Sequence, residues 1–144
     1  MLKITLFLFA VTIGCHSSMD DMSSMRSHTE DMTTETARHL IAARGATTMQ
    51  QMRDEVDVHR SGMASMMAEM AMTMDSMTKH CDDAGAGEMD AMHGEANGEM
   101  SQHFSSLDAS SDLAAAQAEV ERHAASMFAM MDRMDGAMSN MQCH

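Results

Sequence analysis

The sequence predicts an all-α protein, a four-helix bundle made of two duplicated antiparallel helical hairpins. Two observations lead to this prediction. Apolar residues recur at heptad spacing along most of the chain, and a shift of 64 residues superimposes the motif His-x3-Met-x2-Met-Met-x2-Met on a second copy of itself. Sustained heptads are typical of helices that pack lengthwise against other helices. A chain of 144 residues can bury one modest core, so we expect a single domain.

The duplicated motif consists of imidazole and thioether side chains. Its first copy is His59, Met63, Met66, Met67 and Met70, and its second copy is His123, Met127, Met130, Met131 and Met134. The same shift matches Val56 with Val120 and His39 with His103. What the two halves share is therefore mostly sulfur and imidazole nitrogen.

The N-terminus predicts export. Residues 1–14 combine Lys3 with a short apolar run and read as a signal peptide, too short for a stable membrane span. The segment Thr12-Ile13-Gly14-Cys15 resembles the lipobox of bacterial lipoproteins, which implies lipidation of Cys15, a tether over residues 15–19, and attachment to the outer membrane facing the periplasm. Thr12 stands where that family usually has Leu, so export with an unmodified Cys15 is the alternative.

The first predicted hairpin covers residues 20–80. Met25, Met32 and His39 lie seven residues apart on a first helix that Gly45 ends. Thr48 with Gln51 forms a capping box that opens the second helix. Residues 81–88, which contain several Gly and Asp residues, are predicted to be the linker between the hairpins.

The second predicted hairpin covers residues 89–144 and repeats the pattern of the first. Met89, Ala96 and His103 lie seven apart, although Gly94 and Gly98 each cost about 1 kcal/mol relative to Ala in a helix. Residues 108–111 supply turn and N-cap types before the last helix. The two hairpins are expected to form one domain.

Folding each hairpin at its turn predicts which residues meet. Met32 is expected opposite His59, and Met92 beside Met127. The turn end of the bundle would hold Leu40, Ile41, Val56, Leu107, Leu113 and Val120, whereas the open end would hold most of the methionine. A residue used only as filler would be spread along the whole core, so this segregation indicates a role for methionine beyond packing.

Cys81 and Cys143 remain in the exported chain besides Cys15. They end the two matched segments, and an oxidising compartment favours a disulfide between them over two metal thiolates. There is no Cys-x2-Cys or Cys-x2-Cys-His motif, so the sequence does not indicate a redox motif or covalent haem.

A methionine stripe at helical spacing is usually core, so packing is the alternative to ligation. Beyond the signal peptide, however, Met outnumbers Leu, Ile, Val and Phe together. Burying Met costs about 1 kcal/mol more side-chain entropy than burying Leu, which disfavours it as a simple filler. Soft thioethers select Cu(I), and imidazole also suits copper. His39 and His103 face inward near the apolar end, where a hydrogen-bonded core role is as consistent as ligation.

The chain resembles bacterial periplasmic Met/His-rich copper- and silver-binding proteins in composition, and copper-storage four-helix bundles in architecture. The resemblance implies a protein that buffers several Cu(I) or Ag(I) ions and has a copper-delivery or efflux protein as partner. The predicted metal ligands are the ten residues of the two motif copies together with Met25, Met32, Met89 and Met92. Storage bundles line their core with Cys, whereas this chain would use Met.

Other function classes are less well supported. The net charge of −13 and the absence of a basic patch exclude nucleic acid as a partner. No enzyme is predicted: di-iron bundles need Glu-x2-His on helices, and Val56 and Val120 occupy the positions of those glutamates. The alternatives are a structural or partner-binding lipoprotein with a Met-rich face, and a bundle that binds haem noncovalently through His and Met.

Overall fold

The chain forms four helices in a computed structural model that describes residues 14–81 and 83–142, with side chains for 19–81 and 85–142. Helix α1 is Gly14–Gly45, α2 is Met49–Met77, α3 is Asp83–Ala109 and α4 is Leu113–Asn140. Helix α1 packs against α2 and α4, and α3 packs against the same two helices. Because the connections are short, neighbouring helices run antiparallel. The predicted all-α four-helix bundle is confirmed.

The turns inside the two hairpins are fixed by side-chain caps. Thr48 accepts a hydrogen bond from the backbone N–H of Gln51, and the Gln51 side chain accepts one from the N–H of Thr47 at 2.8 Å. In the second hairpin Asp112 accepts from the N–H groups of Ala114 and Ala115. The capping role expected within residues 108–111 therefore falls one residue later, on Asp112.

Helices α1 and α3 begin earlier than the sequence predicted. Helix α1 includes residues 15–19, which were expected to be a tether, and α3 begins at Asp83, inside the predicted linker 81–88. The linker was predicted because this segment contains Gly85 and Gly87. Their propensity cost of about 1 kcal/mol each is small beside the packing of an amphipathic helix, here anchored by the buried Met89 and Met92. The connection between the hairpins is correspondingly shorter.

The core is divided along the bundle axis, as the sequence predicted. At the turn end lies an aliphatic cluster of Ala43, Ala46, Met52, Val56, Leu107, Ala116 and Val120. Toward the open end lies a methionine cluster, whose buried thioethers are Met25, Met32, Met63, Met67, Met70, Met74, Met77, Met89, Met92, Met100, Met127, Met130, Met131, Met134 and Met138. Ile41 was expected in the turn-end core, but it is 71% exposed.

The structure describes only some of the residues for which the sequence made predictions at the ends of the chain. The predicted signal peptide lies mostly outside the described residues, and so does the side chain of Cys15. Cys81 is buried and disulfide-bonded. Its predicted partner Cys143 lies outside the described residues, so that pairing stays a prediction. None of the described helices combines the length and apolar character needed to cross a membrane.

We expect the metal-free protein to be predominantly helical, because the caps and the divided core do not depend on a bound ion. Far-ultraviolet circular dichroism after treatment with a chelator measures this directly. A coil spectrum that becomes helical only when metal is added would contradict the expectation and would identify a chain that folds on its metal.

Candidate metal centre

Four histidines meet at the boundary between the aliphatic and methionine clusters. Each helix contributes one of them, and all four are completely buried. We call His39, His59, His103 and His123 the histidine layer. Burying a polar ring requires hydrogen-bond partners, so the surroundings of each nitrogen decide what the layer can do.

The rings form two stacked pairs, one within each hairpin. The rings of His39 and His59 are nearly parallel, with their centroids 4.0 Å apart, and the centroids of His103 and His123 are 3.8 Å apart. The two pairs meet edge to face, with His59 at 6.0 Å from His103 and 5.7 Å from His123. The four imidazoles therefore form one compact group around the bundle axis.

Each imidazole is held by a glutamate from the other helix of its hairpin. Nδ1 of His39 lies 3.1 Å from Glu55, and Nδ1 of His59 lies 3.0 Å from Glu35. The second hairpin repeats this arrangement, with His103 at 3.2 Å from Glu119 and His123 at 3.0 Å from Glu99. These partners correspond exactly under the 64-residue shift, so the duplication extends to the hydrogen bonds.

This pairing determines which ring nitrogen carries the proton. An ionised carboxylate can only accept hydrogen bonds, so Nδ1 is the donor and Nε2 keeps its lone pair. All four Nε2 atoms are buried and have no hydrogen-bond partner among the described residues. A buried polar atom without a partner costs about 1–3 kcal/mol. Four such atoms in one layer therefore need an explanation.

An arginine joins the two carboxylates on each side of the layer. Arg38 contacts Glu35 at 2.6 Å and Glu55 at 2.9 Å. Arg122 contacts Glu119 at 2.7 Å and Glu99 at 2.9 Å. The guanidinium groups hold the carboxylates in position, which in turn orients the imidazoles.

The electrostatics keep the histidine layer neutral. Burial lowers the pKa of every imidazole in it, to about 3 for His59 and about 2 for His103, because desolvation disfavours a charged ring. Burial also acts to raise the pKa of Glu35 and Glu99, but hydrogen bonds from arginine and imidazole outweigh it, so their pKa values lie below the ordinary value. Neutral imidazoles are the form that binds metal ions.

A cleft between α2 and α3 leads from the surface toward this centre. It has a volume of about 440 Å³, and Met63, Met67 and Met100 line it. Phe104 also lines the cleft and packs against the histidine layer, with its ring centroid 5.4 Å from that of His103. The guanidinium of Arg60 covers the outer side of Phe104, 4.7 Å from the ring centroid.

The structure buries nearly all of the predicted ligands. His59 and His123 belong to the histidine layer, and eleven of the twelve predicted methionines belong to the methionine cluster. Met66 is half-buried and packs against the cluster. Met74, Met77, Met100 and Met138 are buried members of the same cluster that the prediction did not include.

The complete histidine layer was not predicted from the sequence. His39 and His103 stayed undecided between ligation and a core role, and none of the four glutamates was singled out. The signal is a Glu-x3-His motif once on every helix, beginning at Glu35, Glu55, Glu99 and Glu119. The Glu-x2-His spacing of di-iron bundles is one residue shorter than this motif. Glu55 and Glu119 lie immediately before Val56 and Val120, the positions where that spacing would place glutamate. The register of the first hairpin also differs from the prediction. Met32 was expected opposite His59, but His59 bonds to Glu35, about one helical turn away from Met32 on α1.

The arrangement has the chemistry of an ion-binding centre. Metal-ligating histidines typically donate their second N–H to a carboxylate, which fixes the tautomer and makes the ligating nitrogen more basic. The described residues offer such a group in His39, His59 and His103, each with one ring nitrogen within 4.8 Å of the others. A porphyrin placed among these imidazoles would have to separate rings that are stacked in contact.

Comparisons with known proteins do not place the chain in a family. No family model, no curated protein and no solved structure matches it. The site must therefore be interpreted from its own geometry.

The neutral, buried histidine layer predicts acid-sensitive stability of the metal-free protein. In the unfolded chain these imidazoles take up protons near pH 6.5, whereas in the folded protein they stay neutral to much lower pH. The unfolded state therefore binds more protons, and stability falls as the pH is lowered. Between about pH 7.5 and about pH 5.5 we expect a loss of roughly 1.4 kcal/mol each for His59 and His103, and a further loss of the same sign for His39 and His123.

Urea denaturation at a series of pH values measures this dependence. A variant with all four histidines of the layer replaced by Leu keeps the remaining histidines and should lose most of the slope. A parent protein whose unfolding free energy is flat over this range would contradict the buried, neutral assignment.

Proposed function

We propose that the protein binds and buffers several Cu(I) or Ag(I) ions through the thioethers of the methionine cluster. The observation that carries the proposal is that the cluster is one continuous body of buried sulfur, bordered by imidazoles whose Nε2 atoms have no partner among the described residues. Thioethers are soft ligands that favour monovalent copper over the harder divalent ions.

The state of Cys81 fits the same function. It is disulfide-bonded, so this thiol is not available as a thiolate ligand. In an oxidising compartment thiols are lost to disulfides, whereas thioethers keep their lone pairs. A methionine-lined store is therefore the form of copper buffer that suits an exported protein. Export, lipid attachment through Cys15 and exchange with a copper-delivery or efflux partner belong to this proposal.

A partner-binding face of methionines is less consistent with the structure. A flexible Met-rich surface recognises other proteins by exposing its thioethers. Here most of the methionines are buried among the four helices, and only Met19 and Met72 are large exposed examples among the described residues. No catalytic step is proposed for the centre.

Replacing Met63, Met67, Met127 and Met131 by Leu should reduce Cu(I) binding without unfolding the protein. The four residues are buried, at most 6% exposed, and correspond pairwise under the repeat. Each change preserves approximate volume and costs less than about 1.5 kcal/mol. We expect the variant to lose Cu(I) equivalents, or about tenfold or more in affinity, in an anaerobic titration against a competing chelator.

The matched control replaces Met19, Met49, Met52 and Met72 by Leu, which removes four thioethers outside the methionine cluster. This control should bind Cu(I) as the parent does. If the first variant stays helical and keeps full capacity and affinity, the methionine cluster is packing and the proposed function is wrong.

The cleft between α2 and α3 is the expected entrance for the ion. Ala64 lines this cleft, whereas the equivalent position of the second repeat holds the half-buried Phe128. Ala64→Phe should cover the cleft and slow Cu(I) uptake several-fold in stopped-flow measurements, with little change in final capacity. Ala118→Phe adds the same ring at an exposed site on α4 and should leave the rate unchanged. Equal rates for all three proteins would show that ions enter elsewhere.

A further inference from the structure

We propose that the histidine layer is a separate site for one divalent cation of borderline softness, Zn2+ or Cu2+, held by the four imidazole Nε2 atoms. This site differs in ligand type from the thioether sites and does not depend on them. The proposal rests on the unpartnered nitrogens, their spacing and the charge of the groups behind them.

The four imidazoles of the layer all use the same ring nitrogen for their hydrogen bond. Every imidazole of the layer uses Nδ1–H for a glutamate and leaves Nε2 without a partner among the described residues. A histidine that served only to fill the core would be expected to satisfy both nitrogens. Four imidazoles with the same nitrogen unsatisfied are what a preformed nitrogen site requires.

The ring nitrogens of the layer lie close to the spacing that a single metal ion requires. A four-coordinate Zn2+ with bonds of about 2.0–2.1 Å places its ligand nitrogens roughly 3.3–3.4 Å apart. One ring nitrogen from each of His39, His59 and His103 lies within 4.8 Å of the others. His123 does not belong to this group of three, but its ring stacks on that of His103 with centroids 3.8 Å apart. Binding an ion at all four imidazoles requires these nitrogens to close in by up to about 1.5 Å and the ring of His123 to turn toward the ion, with the Nδ1 bonds as pivots.

The groups around the histidine layer carry a net negative charge. Four glutamates and two arginines surround neutral imidazoles, which gives the shell a formal charge of −2. A divalent cation neutralises this charge, whereas a monovalent ion leaves half of it. Four nitrogen ligands also suit the borderline ions Zn2+ and Cu2+, while thioethers suit Cu(I). The two ligand sets of this bundle therefore select different ions.

The two arginines that bridge the carboxylates occupy non-equivalent positions in the two repeats. Under the 64-residue shift, Arg38 corresponds to Gln102 and Arg122 corresponds to Val58, so the arginines are not copies of each other. Even so, each carboxylate pair has a bridging guanidinium, supplied by α1 in one hairpin and by α4 in the other. The two repeats thus reach the same ordered carboxylate pair by different substitutions, which indicates a functional demand on the orientation of the rings.

The test is a titration of the metal-free full chain with Zn2+ alone, followed by Co2+ as a spectroscopic probe. We expect one tightly bound Zn2+ per chain, an increased melting temperature, and the intense visible absorption of four-coordinate Co2+. The variant with His59 and His123 replaced by Leu should lose the tight site and the Co2+ spectrum. Glu35→Gln and Glu99→Gln keep a hydrogen-bond acceptor but remove charge, and each should weaken Zn2+ binding roughly 10- to 100-fold.

The variant that lacks Met63, Met67, Met127 and Met131 separates this proposal from the proposed function. It should keep the tight Zn2+ site even though it loses Cu(I) binding. Absence of a tight Zn2+ site in the helical parent would overturn the inference, as would one that survives loss of His59 and His123, because binding would then lie at surface carboxylates. If the histidine variants do not fold, unchanged Zn2+ affinity in the two glutamine variants is the contradicting result.

Discussion

The structure depends on the hydrogen bond from a buried imidazole to a glutamate of the neighbouring helix, made four times. Each such bond joins the two helices of a hairpin at one level, as His59 with Glu35 and His123 with Glu99 do. A hydrogen bond to a charged group contributes about 1.5–3 kcal/mol, and sliding the helices by a turn would leave the buried Nδ1–H of each imidazole without its partner. The apolar clusters on either side can tolerate sliding far better, because hydrophobic contacts are not directional. The register of the bundle is therefore set by these polar pairs.

The same bonds divide the core into two regions with different properties. On one side small and branched residues such as Val56 and Val120 pack near the hairpin turns. On the other side the core is almost entirely thioether, with unbranched side chains that adapt their shape easily. Such a core gains less from specific packing than an aliphatic one, but its atoms can rearrange around an ion. The stable end and the histidine layer provide the rigidity that the methionine cluster lacks.

The two halves of the bundle correspond at the histidine layer and differ around it. The His and Glu positions match under a single shift, whereas Ala64 corresponds to Phe128 and the arginines come from non-equivalent helices. The differences lie at the surface of the layer, where one seam has a cleft lined by Ala64 and Met63. A symmetric centre with unequal access is consistent with ions entering from one side.

Local sequence determined the helices, their caps at Thr48, and the separation of the methionine cluster from the aliphatic cluster, since heptad spacing and capping act over a few residues. It also determined that His59 and His123 face the core. Only the tertiary structure decided that His39 and His103 join them, because that requires four helices to present imidazoles at one level. Glu55 lies one turn from His59 on its own helix, yet His39 of the neighbouring helix is its partner. Such pairing depends on the rotation and register of packed helices, which no local pattern specifies.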